Sequence, residues 1–227
     1  MVRPKRSQQI DLPSAIRKTA WEQMAELGAA GINLRSIARA LNITAPAIYN
    51  HFPSRDDLVT ELIREAYTSL GDAQAAALAS APAGDPAGGL RSTGNSYRTW
   101  ALTYPQRYQL IFGTPVPGYV CPTDRTADAA AYSLSSLVGV IEGARRDGHL
   151  GQRPNFHLSE EKLAIYTQWQ RHAIQAEPQS FCLAIVVWAR VHGLVSLEIG
   201  HLAPEFGPEP GELFAFELEQ LIQEFIV

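Results

Sequence analysis

Cysteine is scarce in this sequence, with two among 227 residues, Cys121 and Cys182, at no metal-type spacing. That excludes a disulfide-dense scaffold or a zinc module; one disulfide could form, but two reduced thiols in a cytosolic protein are the expectation. Long apolar runs are also lacking. "AAAYSLSSLVGVI" and "PQSFCLAIVVWA" fall short of a membrane span, and the opening "MVRPKRSQQI" carries charge without the apolar core of a secretory signal. A cytoplasmic protein with no membrane partner is expected. Alternating Val/Ile/Thr runs between turns are nearly absent, which argues against a sheet. No glycine-rich phosphate loop, nucleophile elbow or Cys/His cluster is found. Glu198 and His201 have the Glu-x-x-His spacing of di-iron helical bundles, but such a site needs a second copy and two further carboxylates, and no second copy exists. The expectation is a protein that is not an enzyme and has neither cofactor nor metal.

What is present is a chain 46% hydrophobic and 19% charged, the balance of a packed protein and not of a disordered one. Its net charge of −4 is unevenly spread. Residues 1–65 hold nine Lys/Arg and seven Asp/Glu, a balance of +2; the remainder hold ten and sixteen, a balance of −6. The first third can face a polyanion and the rest cannot.

Helical periodicity dominates and the class is all-α. A first helix is predicted over 13–28, with Ile16, Ala20, Met24 and Leu27 on one face and Gly28 near its end. A second short helix carries Leu34, Ile37, Ala38 and Leu41, followed by Asn42, which tolerates a left-handed turn. Thr44 is a natural N-cap for a third, Pro46 suits its first turn, and Pro53 stops it. Ser54 then caps a fourth that can run to about residue 78, with Asp56 and Asp57 where the helix dipole favours anions. "APAGDPAGG" over 81–89 reads as a linker, and further helices are predicted over 90–103, 105–112, 123–148, 159–174, 179–201 and 210–226.

On a helical wheel the third helix buries Ala45, Ile48 and Phe52 and turns Pro46, Ala47, Asn50 and His51 outward, with Tyr49 on the edge. A helix of about seven residues does not persist alone in water, so it must be clamped by neighbours. Two short helices joined by "LNIT" have helix-turn-helix spacing, in which the second helix enters the major groove of DNA. Ala47 lets the backbone approach and can touch a thymine methyl, and Asn50 offers the donor and acceptor pair that suits adenine. Thr44, Tyr49, His51 and Arg55 are placed to reach phosphates, with Arg35, Ala45 and Pro46 on the same motif. Arg3, Lys5 and Arg6 form a basic arm able to follow the backbone or minor groove. An ordinary helical hairpin with a solvated polar face has the same spacing.

The stretch "LGAAGINLRSIARALNITAPAIYNHFPSRDDL" closely resembles the N-terminal domain of the tetracycline-repressor (TetR) family, through Gly31, Ile37, Ala38, Tyr49, His51, Phe52, Arg55, Asp57 and Leu58. The likeness covers roughly residues 12 to 70. The family's usual turn glycine is Asn42 here and its usual Lys at the fourth helix is Arg55; both swaps keep the physical role. The stretches "YPQRYQLIFGTPVPGY" and "WARVHGLVSLEIGHL" resemble a C-terminal subtype with a Trp-His-Gly signature, carried by Trp188, His192 and Gly193.

The resemblance implies an N-terminal helix-turn-helix domain, residues 1–70 with the motif at about 33–52, joined by a long helix to a ligand-binding and dimerisation domain, residues 71–227. It implies a homodimer, a double-stranded DNA operator and a small-molecule inducer, hence a ligand-responsive repressor. A broad stripe in the last helix, Leu213, Phe216, Leu218, Leu221, Ile222 and Phe225, suits a face covered by a second subunit. Candidate pocket residues are Trp100, Tyr104, Tyr108, Phe112, Tyr132, Trp169, Phe181, Trp188 and His192, each equally able to serve as ordinary core. A small-molecule-binding protein that has lost operator binding, and a helical-bundle metalloenzyme, are the readings of other classes.

Overall fold

A computed structural model describes residues 11–151, 156–172, 175–202 and 207–227. Among these are ten α-helices: α1 Leu12–Leu27, α2 Leu34–Ala40, α3 Ala45–Tyr49, α4 Arg55–Ala79, α5 Pro86–Thr103, α6 Pro105–Phe112, α7 Thr123–Asp147, α8 Glu160–Trp169, α9 Pro178–Ile199 and α10 Pro210–Phe225. The only β-type pairing among the described residues is one isolated bridge, Leu150 to Ile226, so the all-α class holds.

Local chemistry sets most helix starts. Asn33 accepts from the Arg35 and Ser36 amides at 2.8 and 3.4 Å, Asp85 from Gly88 at 2.8 Å, and Ser159 from Lys162 at 3.3 Å. Ser54 and Asp57 form a reciprocal cap, the Asp57 amide donating to Ser54 Oγ at 3.1 Å and that hydroxyl donating to the Asp57 carboxylate at 2.7 Å. Thr44 has the extended backbone of an N-cap, but its hydroxyl makes no capping bond. The linker expected over 81–89 is shorter, because Asp85 and Pro86 start α5 four residues before the predicted position. Gly89 there serves packing: a Cβ on it would meet Val140 of α7 at 3.2 Å and Leu78 of α4 at 3.4 Å.

The chain divides into two compact units, residues 1–63 with 106–122, and residues 64–105 with 123–227. By packing, then, 106–122 groups with the N-terminal unit, where a cut near residue 70 assigns it to the other. Two contacts show how: the Arg107 guanidinium lies over the Trp21 ring of α1, 5.2 Å from its centre, and the Tyr119 and Thr60 hydroxyls are 2.9 Å apart.

In the N-terminal unit Ile16, Ala20, Met24, Leu34, Ile37, Ile48, Phe52, Leu58 and Leu62 are buried together, whereas Leu27, in the last position of α1, is exposed. In the larger unit α9 packs on α7 and α10. As a whole helix, α9 is long and apolar enough to cross a membrane by length and composition, although each shorter run falls short. Its polar residues have partners within the unit: Arg190 with Glu217 and with Glu224 at 2.6 Å, His192 with Tyr97 at 2.8 Å, Glu198 with Arg98 at 2.5 Å. Cys121 is exposed, Cys182 is half-buried, and no disulfide joins them.

Candidate nucleic-acid interface

The turn between α2 and α3 depends on Asn42, whose φ of 54° is the left-handed geometry an Asn accepts more readily than most residues. It lets the Ile43 amide donate to Ala38 O at 3.0 Å, closing α2 and re-aiming the chain. Helix α3 is only five residues long. Its last turn extends through Asn50 and His51, whose amides donate to Pro46 O at 3.1 Å and Ile48 O at 2.9 Å. Ile48, fully buried, and Phe52 anchor it to the unit, which supplies what so short a helix lacks by itself.

Arg35, Thr44, Pro46, Tyr49, Asn50 and His51 are exposed, and Ala45 and Ala47 are half-buried. The side chains of Arg35, Thr44, Tyr49, Asn50 and His51 hold no hydrogen bond or ion pair among the described residues. Arg39, in the last turn of α2, is exposed as well and adds a cation that the motif pattern did not single out. Ser36 turns back, its hydroxyl 3.0 Å from Gln23 of α1. Arg3, Lys5 and Arg6 lie outside the described residues.

Arg55 has a duty that spacing did not reveal. Its guanidinium donates to Ile32 O and Ala29 O, both at 3.3 Å, and lies 3.6 Å from Asp56. It therefore ties the start of α4 to the connection between α1 and α2, which orients the motif. Arg55→Ala is expected to cost the N-terminal unit about 1–3 kcal/mol, since two carbonyls lose a charged donor, with the salt slope of DNA binding unchanged. A slope flattened by about one unit would instead return Arg55 to the phosphate contacts.

The candidate pocket residues do not form one group. Tyr108 and Phe112 belong to the N-terminal unit, their rings 5.3 Å apart. In the larger unit Trp100 is buried and donates to Ser69 Oγ at 3.0 Å, while Tyr104 is exposed. Tyr132 donates to Asp72 at 2.9 Å, which raises its phenol pKa, the hydrogen bond being the main cause. Trp169 is half-buried. Phe181 packs against Tyr166 with the rings tilted by 49° and their centres 5.3 Å apart. Trp188 and His192 lie one turn apart on α9 with ring centres 4.8 Å apart, and burial holds the imidazole pKa below its ordinary value. Glu198, half of the Glu-x-x-His pair, is engaged by Arg98 in a two-pronged ion pair, and His201 stands exposed at the end of α9.

Residues 16–62 match the family described as bacterial regulatory proteins, tetR family, and residues 90–221 match the tetracyclin repressor-like C-terminal domain. The HTH-type transcriptional regulators Rv1816 of Mycobacterium tuberculosis and Mb1846 of Mycobacterium bovis are each 29% identical over 201 residues, 88% of this chain and 86% of theirs. Among solved structures, SCO4313, a protein whose regulatory role is itself inferred, is 34% identical with a TM-score of 0.74, the match covering 97% of this chain and 100% of that one. A tetR-family regulatory protein from Rhodococcus RHA1, 17% identical, shares the fold at a TM-score of 0.65 over 94% of this chain and 96% of that one. A helix-turn-helix with an exposed second helix, followed by a helical unit that the C-terminal family match largely spans, places this chain in the TetR family of transcriptional regulators, with a helix-turn-helix DNA-binding domain.

Proposed function

We propose that this regulator is a ligand-responsive repressor that binds a palindromic operator as a homodimer and is released by a small-molecule inducer, acting in the cytoplasm where its DNA lies. The observation that carries the reading is the exposed face of α3, a helix held by Ile48 and Phe52 while Thr44, Tyr49, Asn50 and His51 stay free of partners among the described residues. Polar side chains on a rigid, clamped helix suit base edges and phosphates better than a flexible loop would. Ala47 and Asn50 are assigned to bases, Arg35, Thr44, Tyr49 and His51 to the backbone.

Dimerisation is assigned to α9 and α10, where Leu197 and Phe216 are exposed, the latter at 61%, beside half-buried Leu194 and Leu213. A two-fold dimer of this kind would set two recognition helices roughly 34–36 Å apart, one turn of DNA. The inducer acts by preferring a conformation in which that spacing is lost, and it shifts the equilibrium only by its affinity difference between the two states. Helix α4, whose residues belong to both units, is one covalent route, beside the crossings at residues 105–106 and 122–123.

The test is binding of the purified protein to its own upstream intergenic DNA against random competitor across a salt series. Competitor-resistant binding with a steep salt slope is expected; binding no tighter than to random DNA would remove the operator-reading role. In the same assay Asn50→Ala is expected to weaken specific binding by about 1–3 kcal/mol and leave random DNA unaffected. Equal losses on both would make Asn50 a phosphate contact.

A further inference from the structure

Between Arg39 at the end of α2 and Arg55 at the start of α4 the chain carries no Lys, Arg, Asp or Glu: residues 40–54 are "ALNITAPAIYNHFPS". The turn and the whole of α3 fall inside that span. The cations stand on either side of it. Arg35 and Arg39 lie one turn apart on α2, and both are exposed. In helix-turn-helix docking the first helix crosses the DNA backbone, so these two are placed for phosphates, which carry no sequence information. Arg55 is engaged by Ile32 O and Ala29 O.

Base edges in the major groove have distinct matches. Guanine is met at O6 and N7 by the paired donors of Arg or Lys, and cytosine at N4 by Asp or Glu. Adenine is met by the amide of Asn or Gln, and thymine by an apolar group against its C5 methyl. Helix α3 has none of the first two kinds and both of the last two. Pro46 is exposed and Ala47 half-buried, side by side on the outward surface. Asn50 follows one turn later. It keeps helical geometry, with φ −66° and ψ −23°, and its amide has no partner among the described residues. The spacings of three and four residues put all three on one face, and fully buried Ile48 fixes which way that face points. A helical turn rises about 5.4 Å against a base step of about 3.4 Å. Asn50 therefore meets a base pair about one or two steps beyond those under Pro46 and Ala47.

We infer that the operator half-site is centred on consecutive A·T pairs. Thymine methyl groups pack against Pro46 and Ala47, and a nearby adenine takes the Asn50 amide through N6 and N7. Specificity and grip are divided between two helices: α3 selects by apolar contact and one amide, and α2 holds the backbone whatever the sequence. Pro46 thereby joins Ala47 and Asn50 as a specificity-determining residue. This rests on the operator-binding role proposed above and names the class of DNA that role requires.

The test begins with selection of bound sequences from a pool of random duplexes by the full-length chain. Half-sites centred on A·T pairs are expected. In a selected site, deoxyuridine in place of a central thymidine removes only the C5 methyl and should weaken binding about fourfold per methyl. Adenine replaced by 7-deazaadenine loses only N7, which should weaken the parent about fivefold and Asn50→Ala not at all. These changes leave the protein untouched, so no folding defect can imitate them. Arg39→Gln should weaken selected and random DNA alike and flatten the salt slope by about one unit, with the uracil and deaza penalties unchanged. Selected sites centred on G·C pairs, full affinity for the uracil-substituted site, or a deaza penalty that persists in Asn50→Ala would overturn the inference while operator binding stands. A pool in which no sequence is enriched would overturn both.

Discussion

Ile48→Ala is expected to abolish operator binding while leaving most of the helical content intact. Ile48 is the fully buried side chain of the five-residue α3, and it fastens the helix to the core of the N-terminal unit. Deleting its outer carbons removes transfer free energy and leaves a cavity, together about 2–5 kcal/mol. A small unit has little stability in reserve, and no local interaction replaces the anchor, since Thr44 makes no capping bond. The larger unit has a separate core built around Leu183, Val187, Phe214, Leu218 and Leu221. The expected record is therefore an early unfolding transition for the N-terminal unit, a largely unchanged later one, and no DNA complex. Ile48→Val, at about 0.5–1.5 kcal/mol, should keep the complex. If Ile48→Ala bound its operator as the parent does, α3 would owe its order to something other than this contact.

The second large effect lies in the other unit. Glu142 of α7 is 4% exposed and collects five donors: Arg145 at 2.8 and 2.9 Å, Arg146 at 3.0 Å, the Ser180 hydroxyl at 2.7 Å and the Glu177 amide at 3.3 Å. The last two belong to the start of α9, so one carboxylate closes an ion cluster and caps a neighbouring helix. Glu142→Ala leaves those donors without their anion and is expected to cost about 3–5 kcal/mol. The Arg145 hydrogen bonds, helped by Ser180 and Glu177, hold the carboxyl pKa down to about 2 from 4.5. A depressed carboxyl pKa means that its contribution, about 3 kcal/mol, is complete above pH 4.5 and is lost as the pH falls toward 2. Urea unfolding of the parent should therefore weaken through that window, whereas Glu142→Gln, already lowered at neutral pH, should show a smaller acid loss. Parallel acid curves for the two proteins would show that other groups carry the pH dependence.

Much of the fold can be read locally. The starts of α1, α2, α4, α8, α9 and α10 fall within a residue or two of their expected positions because caps, N-terminal prolines and periodicity act within one turn of the chain. Asn42 takes the left-handed turn its type suggested. Where locality fails, the cause is a neighbour distant in sequence. The glycines at 88 and 89 look like a linker but sit inside α5, Gly89 beside Leu78 and Val140. Phe216 keeps the period of the apolar stripe in α10 yet is exposed, since the stripe is wider than the face its own unit covers.

The same division runs through the candidate interface. The amphipathic period of α3, with Ile48 inward and Asn50 and His51 outward, is a property of order along one helix, so the sequence by itself determined it, as it did the all-α class. Tertiary structure alone decided that Arg55 reaches carbonyls 23 and 26 residues away, that Glu142 caps a helix beginning 35 residues later, and that residues 106–122 pack with the N-terminal unit. Periodicity reports which face of a helix is apolar; which partner meets that face depends on how the helices assemble, and no local pattern encodes that.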